Sequence, residues 1–294
     1  MTRPEAQLLI VGAGPAGCLA AVTAASVGMT SLLIDPAPIP GGSLWQIGHL
    51  ANWPGFSDGP SYARVLGAHL AGLDGHCSYV QAQVTTIEAT EDLVRATLAD
   101  GSSVAGEALI VATGVHTAKS TEVSWITCTE AFPPITGASP VDLGACTVVL
   151  GGDRPLGTWL RTHPNADRKL TVCYPERDGY KVEEVRSDER VQLLPVRAVS
   201  VTGTGPYTVD ILRADGGQDT VEADSVLTNI GTVPTALPGL AVGEDGFCPP
   251  AAQHPRVVTA GDLTARDGQR VSTAAGDGAD AALTLYSRFR RQAV

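Results

Sequence analysis

The sequence predicts an α/β protein of two three-layer (ββα) domains, the second inserted into the first. Two glycine turns carry that expectation. Each follows a short apolar run and precedes a helical stretch: Leu8–Val11 before Gly12, and Cys146–Leu150 before Gly151. A third observation sets the nesting. A strand-and-helix signal returns after residue 240, as if to complete the first unit. The boundaries expected are 1–116 with 237–294 for one domain and 117–236 for the other, and 294 residues suit two domains.

In chain order, Leu8-Leu9-Ile10-Val11 is continuously apolar, as a parallel strand buried on both faces must be. Gly12 to Gly17 turn the chain. The Ala-rich run Cys18–Val27 predicts a helix that Gly28 ends, and Ser31–Ile34 predicts the next strand, closed by Asp35. A Gly/Pro-rich loop runs from Pro36 to Pro60. Ser61–Leu73 then has helical spacing, with Tyr62, Val65, Leu66 and Leu70 on one stripe. Residues 78–105 alternate as antiparallel strands, and Leu109–Ala112 is a further buried strand. In the second unit, strands are expected at Cys146–Leu150, Leu170–Tyr174, Val191–Leu194, Val196–Thr202, Tyr207–Arg213 and Ser225–Ile230. A short helix is expected at Pro155–Arg161. Val257–Ala260 and a long helix, Ser272–Arg290, follow.

Composition excludes several roles. A net charge of −11 and no basic patch argue against nucleic acid and anionic membranes, which need clustered Lys and Arg. No apolar run approaches the ~18 residues of a bilayer span. The six cysteines (18, 77, 128, 146, 173 and 248) show no CxxC spacing. Free thiols in a cytoplasmic protein are expected, and no metal site.

The strongest motif is Gly12-Ala13-Gly14-Pro15-Ala16-Gly17, a GxGxxG between a strand and a helix. Its glycines let backbone N–H groups approach a pyrophosphate at the positive end of the helix. Asp35, eighteen residues after Gly17, ends the next strand, where a carboxylate accepts a bond from a ribose hydroxyl. Dinucleotide binding is the expectation.

Four further segments resemble the low-molecular-weight thioredoxin reductases, whose two domains are Rossmann-like. Gly41-Gly42-Ser43-Leu44, then Asn52-Trp53-Pro54-Gly55, is similar to the family's flavin-proximal loop. Leu109 to Gly114 is similar to its ATG segment. Thr228 to Pro234 resembles its hinge, and Thr259-Ala260-Gly261-Asp262 its second FAD motif. The resemblance implies FAD as cofactor. It implies cofactor contacts from Gly12, Gly14, Pro15, Ala16, Gly17, Asp35, Gly42, Ser43, Leu44, Asn52, Val84, Ala112, Thr113, Gly114, Gly261, Asp262, Arg270, Val271 and Ser272. It also implies a homodimer.

Two departures redirect the function. Where the family carries CxxC, this chain reads Trp125-Ile126-Thr127-Cys128, and one sulfur cannot run an internal dithiol cycle. Where the family grips NADPH, it reads Gly151-Gly152-Asp153-Arg154-Pro155, with Asp153 placing a negative charge against a pyrophosphate. The expected activity is therefore an FAD-dependent oxidase or dehydrogenase. It would act directly on a small organic substrate, including natural-product or carrier-tethered ones, and pass electrons to O2 or another acceptor without NADPH. His49, in the flavin-proximal loop, is the candidate base, against a surface role. Cys128 is either a functional thiol or a packing residue. Two alternatives stay open: thiol–disulfide exchange through Cys128 with a partner thiol or protein electron donor, and a non-catalytic flavin-binding scaffold.

Overall fold

The computed structural model describes residues 5–292 apart from positions 51 and 74, and divides into two compact units. One comprises residues 1–116 and 234–294, the other residues 117–233. No helix among the described residues is long and apolar enough to cross a membrane.

The first unit opens with β1 (Ala6–Val11), α1 (Pro15–Ser26), β2 (Ser31–Asp35), α2 (Gly59–Ala71), β3 (Cys77–Gln81), β4 (Val84–Ala89), β5 (Val94–Leu98) and β6 (Ser103–Val111). The strand order is β3-β2-β1-β6-β5-β4. A short strand, β7 (Val115–Thr117), leads out of the unit. Alternation along β1 and β6 splits the core into two layers. Leu8, Ile10, Ala108 and Ile110 pack under the helices, whereas Leu9, Val11, Leu109 and Val111 pack against Val84, Ile87, Val94 and Leu98 of the β4–β5 hairpin.

The second unit contains β8 (Ile126–Cys128), β9 (Cys146–Leu150), α3 (Pro155–Thr162), β10 (Lys169–Pro175), β11 (Val191–Thr202), β12 (Tyr207–Arg213), β13 (Gln218–Ala223) and β14 (Ser225–Thr228). Its order is β13-β12-β11-β10-β9-β14, with β8 alongside β11. After β15 (Thr232–Pro234), the chain completes the first unit with β16 (Val257–Thr259) and α4 (Val271–Gln292). β16 joins β6 in parallel at Leu109–Val111, just past the four residues of β6 that pair with β5.

Several expectations are corrected. α1 begins at Pro15, not Cys18, because Pro suits the first helical position and Gly17 lets the first turn lie against Gly12. α2 begins at Gly59, because the Asp58 carboxylate accepts from the Ser61 N–H at 2.7 Å and caps it there. Val65 is exposed. The buried stripe uses Tyr62, Ala63 and Leu66 instead. β3 is parallel to β2, not part of the antiparallel run, and β6 is one strand rather than two. β11 runs straight through Pro195. The missing N–H falls where the strand changes from parallel pairing with β10 to antiparallel pairing with β12, beside a register shift at Val196–Ala198. The sequence reading missed β13 altogether, since its buried pattern is weak.

α4 packs on α1 through glycine. A Cβ on Gly278 would lie 1.9 Å from the Ala16 carbonyl oxygen, whereas one on Gly276 meets nothing within 4 Å. Gly278→Ala therefore costs about 1–3 kcal/mol through overpacking. Gly276→Ala stabilises the same helix by about 0.5–1 kcal/mol. Denaturant midpoints of the two variants should move in opposite directions.

Candidate functional site

Backbone contacts build the turn after β1 before any side chain acts. Gly12 has φ +99°, and a Cβ there would lie 2.4 Å from the Ala112 carbonyl oxygen. A Cβ on Gly17 would lie 1.8 Å from the Gly12 oxygen. Both positions require glycine. Gly14 differs, since a Cβ there meets nothing within 4 Å. Its face opens onto a cleft lined by Gly12, Gly14, Pro15, Ala16 and Asp35. The N–H groups of the first turn of α1 have no intrahelical acceptors and border this space. An open glycine face beside a helix N-terminus fits a pyrophosphate.

Asp35 does more than was expected of it. Its two oxygens accept from the Ala13 N–H at 2.7 Å and the Ala37 N–H at 2.8 Å, so the carboxylate first ties the loop together. Each oxygen keeps a second acceptor position for a ribose hydroxyl. The Gly41 N–H donates to the Ala13 carbonyl at 2.7 Å, which brings Gly42 and Ser43 to the cleft wall. Cys18 lies beneath the turn and donates to the Ala13 carbonyl at 3.2 Å. Burial, and then Asp35, push its thiol up to about 12, so it stays protonated.

Val84, Ala112, Thr113, Gly114, Gly261 and Asp262 line the same cleft. The return segment is fastened there: Thr113 Oγ1 donates to the Thr235 carbonyl at 2.7 Å, and the Thr235 N–H to the Gly114 carbonyl at 2.9 Å. A second cavity shares Pro15, Ser43, Asp262 and Ala274 with the first and continues past His49, Asn52, Arg270 and Val271. Val271 is the first residue of α4, so the positive end of that helix borders the cavity.

Three of the expected residues line neither cavity. Gly17 is spent on the close approach to Gly12, Leu44 is fully buried in the core, and Ser272 is exposed and lines neither cavity. Sequence reading missed Pro36, Ala82, Gln83, Val115 and Thr235. They reach the cleft by tertiary placement, and no local pattern marks them. Cys128 belongs to the second unit. It ends β8, half-buried against the cluster around Val199 and Val201.

Asp262 links the two cavities. Burial, and then the nearby Asp277 carboxylate, raise its pKa, while Arg270 opposes the shift.

Residues 6–130 match the family described as pyridine nucleotide-disulphide oxidoreductase. The thioredoxin reductase of Listeria innocua is 24% identical over 296 residues, covering 92% of this chain and 90% of that one. Among solved structures, the Lactococcus lactis thioredoxin reductase (FR conformation) superposes with a TM-score of 0.70 at 20% identity, covering 96% and 98% of the two chains. The T. acidophilum thioredoxin reductase gives 0.65 at 23%, with the same coverage. The chain is an FAD-dependent oxidoreductase that shares the fold of the thioredoxin reductases.

Two predictions follow for this FAD oxidoreductase. Gly14→Val leaves the stability of the cofactor-free protein unchanged within about 0.5 kcal/mol, since a Cβ at this position meets nothing within 4 Å. It weakens FAD binding at least roughly 100-fold, because the same space receives the cofactor. Asp262→Asn separates stability from binding. A carboxylate with a raised folded pKa penalises folding. The penalty is absent while both states are protonated, grows as pH rises from the ordinary carboxylate range, and is complete above the folded pKa. The variant should thus melt higher than wild type without FAD at pH 7, and equally at pH 3. It should bind FAD more weakly in titrations followed by flavin fluorescence.

Proposed function

We propose that this enzyme oxidises a small organic substrate directly at FAD and does not use NADPH. The observation that carries the proposal is a contrast between equivalent turns. In the first unit, Gly14 and Gly114 both face open space in the cleft. In the second, the glycine turn reads Gly151-Gly152-Asp153, so Asp153 stands at the position of Gly14. Its carboxylate lies where a Cβ on Gly231, the counterpart of Gly114, would meet Oδ2 at 3.1 Å. Lys181 holds it at 3.3 Å and also holds Asp178 at 3.4 Å, with side-chain exposures of only 13–24% across the three groups. The triad carries a net negative charge at the place a second pyrophosphate would need, which disfavours a nicotinamide dinucleotide.

The lack of any CxxC in the chain supports the same reading. Bound FAD would supply a two-electron acceptor. His49, exposed at the second cavity, would take the proton that a hydroxyl or amine substrate releases on oxidation. Natural-product and carrier-tethered substrates fall within the proposal, as do O2 or another final acceptor, a homodimeric state and a cytoplasmic location.

Adding NADPH, then NADH, anaerobically to the FAD-loaded protein should leave the oxidised flavin spectrum unchanged over minutes. Rapid bleaching would overturn the proposal.

A second reading, thiol–disulfide exchange through Cys128, draws support from the relatives' shared name of thioredoxin reductase. Under it, anaerobic dithiothreitol would reduce the flavin in wild type and fail in Cys128→Ser. Under the main proposal the two proteins behave alike.

A further inference from the structure

Away from the flavin cleft, the first unit has an open pocket at the far end of α4. Its floor is apolar: Ala108 and Leu285 are almost fully buried, and Phe289 and Pro255 complete the wall. Its rim carries two cations, Arg256 and Arg288, with His254 beside them. In a chain of net charge −11, that grouping is a local reversal of sign.

The arginines are held in place. Arg256 donates from Nε to the Glu91 carbonyl at 2.7 Å and from Nη1 to the Glu107 carbonyl at 2.9 Å. Arg288 donates from Nη1 to the Pro255 carbonyl at 2.6 Å. Two bonds fix the Arg256 guanidinium plane and one tethers Arg288, and neither group is neutralised, since neutral carbonyls take no charge. Arg256 Nη2 and Arg288 Nε and Nη2 have no acceptor among the described residues. His254 adds a donor: its Nδ1 accepts from the Arg256 N–H at 3.2 Å, which leaves the proton of the neutral ring on Nε2. Glu91 is the one acidic residue among those lining the cavity.

We infer that this cavity is a second binding site, separate from the flavin cleft, for an organic anion with an apolar body, such as a medium-chain carboxylate. The floor takes the chain out of water, and the fixed guanidinium donors pair with the head group. Neither half alone makes the site selective. A bare anion leaves the floor wet, and a neutral chain leaves the arginines unpaired.

The test uses the FAD-loaded protein and calorimetric titration with octanoate, octanol and inorganic phosphate. Octanoate should bind saturably with a dissociation constant below about 1 mM, and both controls should bind at least roughly tenfold more weakly. The flavin spectrum should not move. Arg288→Gln, at an exposed position, should weaken octanoate roughly tenfold by removing a charge-assisted donor. Glu91→Gln should tighten it roughly two- to fivefold by removing the opposing charge. Unchanged thermal midpoints would show that both variants fold. Failure of octanoate to saturate by about 10 mM would overturn the inference. So would octanol or phosphate binding as tightly as octanoate, or octanoate binding unaffected by either variant.

Discussion

The first unit depends on backbone approaching backbone at distances that no side chain permits. The carbonyl oxygens of Gly12, Ala16 and Ala112 occupy the places where Cβ atoms of Gly17, Gly278 and Gly12 would be. These three contacts lock β1 to β6, the first turn of α1 to β1, and α4 to α1. Together they set where the helix N-terminus points, and so where a dinucleotide can rest. The cost is an unsubstituted backbone with high unfolded-state entropy. The offset comes from burial: Leu8, Leu9, Ile10, Leu109 and Ile110 are wholly excluded from water on the two strands that carry the turn.

The same arrangement explains why the site contains an electrostatically unfavourable acid. Asp262 follows β16, the strand added beside β6, and lies where burial and Asp277 both disfavour its charge. A carboxylate whose charge burial disfavours, set in a cleft, is a candidate ligand contact. Its position between two connected cavities suits a group that must be held along its length.

What the sequence could reveal divides along a physical line. Motifs whose geometry is set within a few residues were legible: the GxGxxG turn, Asp35, and the glycine-bearing segments at Gly114 and Gly261 all line the cleft or build its frame. Features set by distant partners were not. Gln83 and Thr235 reach the cleft only because a hairpin and the return segment lie there. Val65 fitted the helical stripe but is exposed, and Ala63 takes the inward position instead. Leu44 lay inside a recognisable loop motif, yet it anchors that loop from the core side. A motif therefore identifies a segment, and packing decides which of its residues face the ligand.

The two glycine turns separate fold from function within one chain. Gly12 and Gly151 have φ +99° and +105°, and a Cβ on either would meet a carbonyl oxygen, that of Ala112 or Asn229, at 2.4 and 2.3 Å. Strand, turn and helix follow the same plan in both units. The difference is confined to what stands two residues later: an open glycine face in one, and an aspartate paired with Lys181 in the other. The shared backbone needs Gly12 and Gly151 for its shape, so their presence reports on architecture alone. Gly14 contributes nothing to that shape that Asp153 does not also satisfy. Its open face is therefore not required by the fold, and an aspartate at the matching position of the second turn leaves that fold in place.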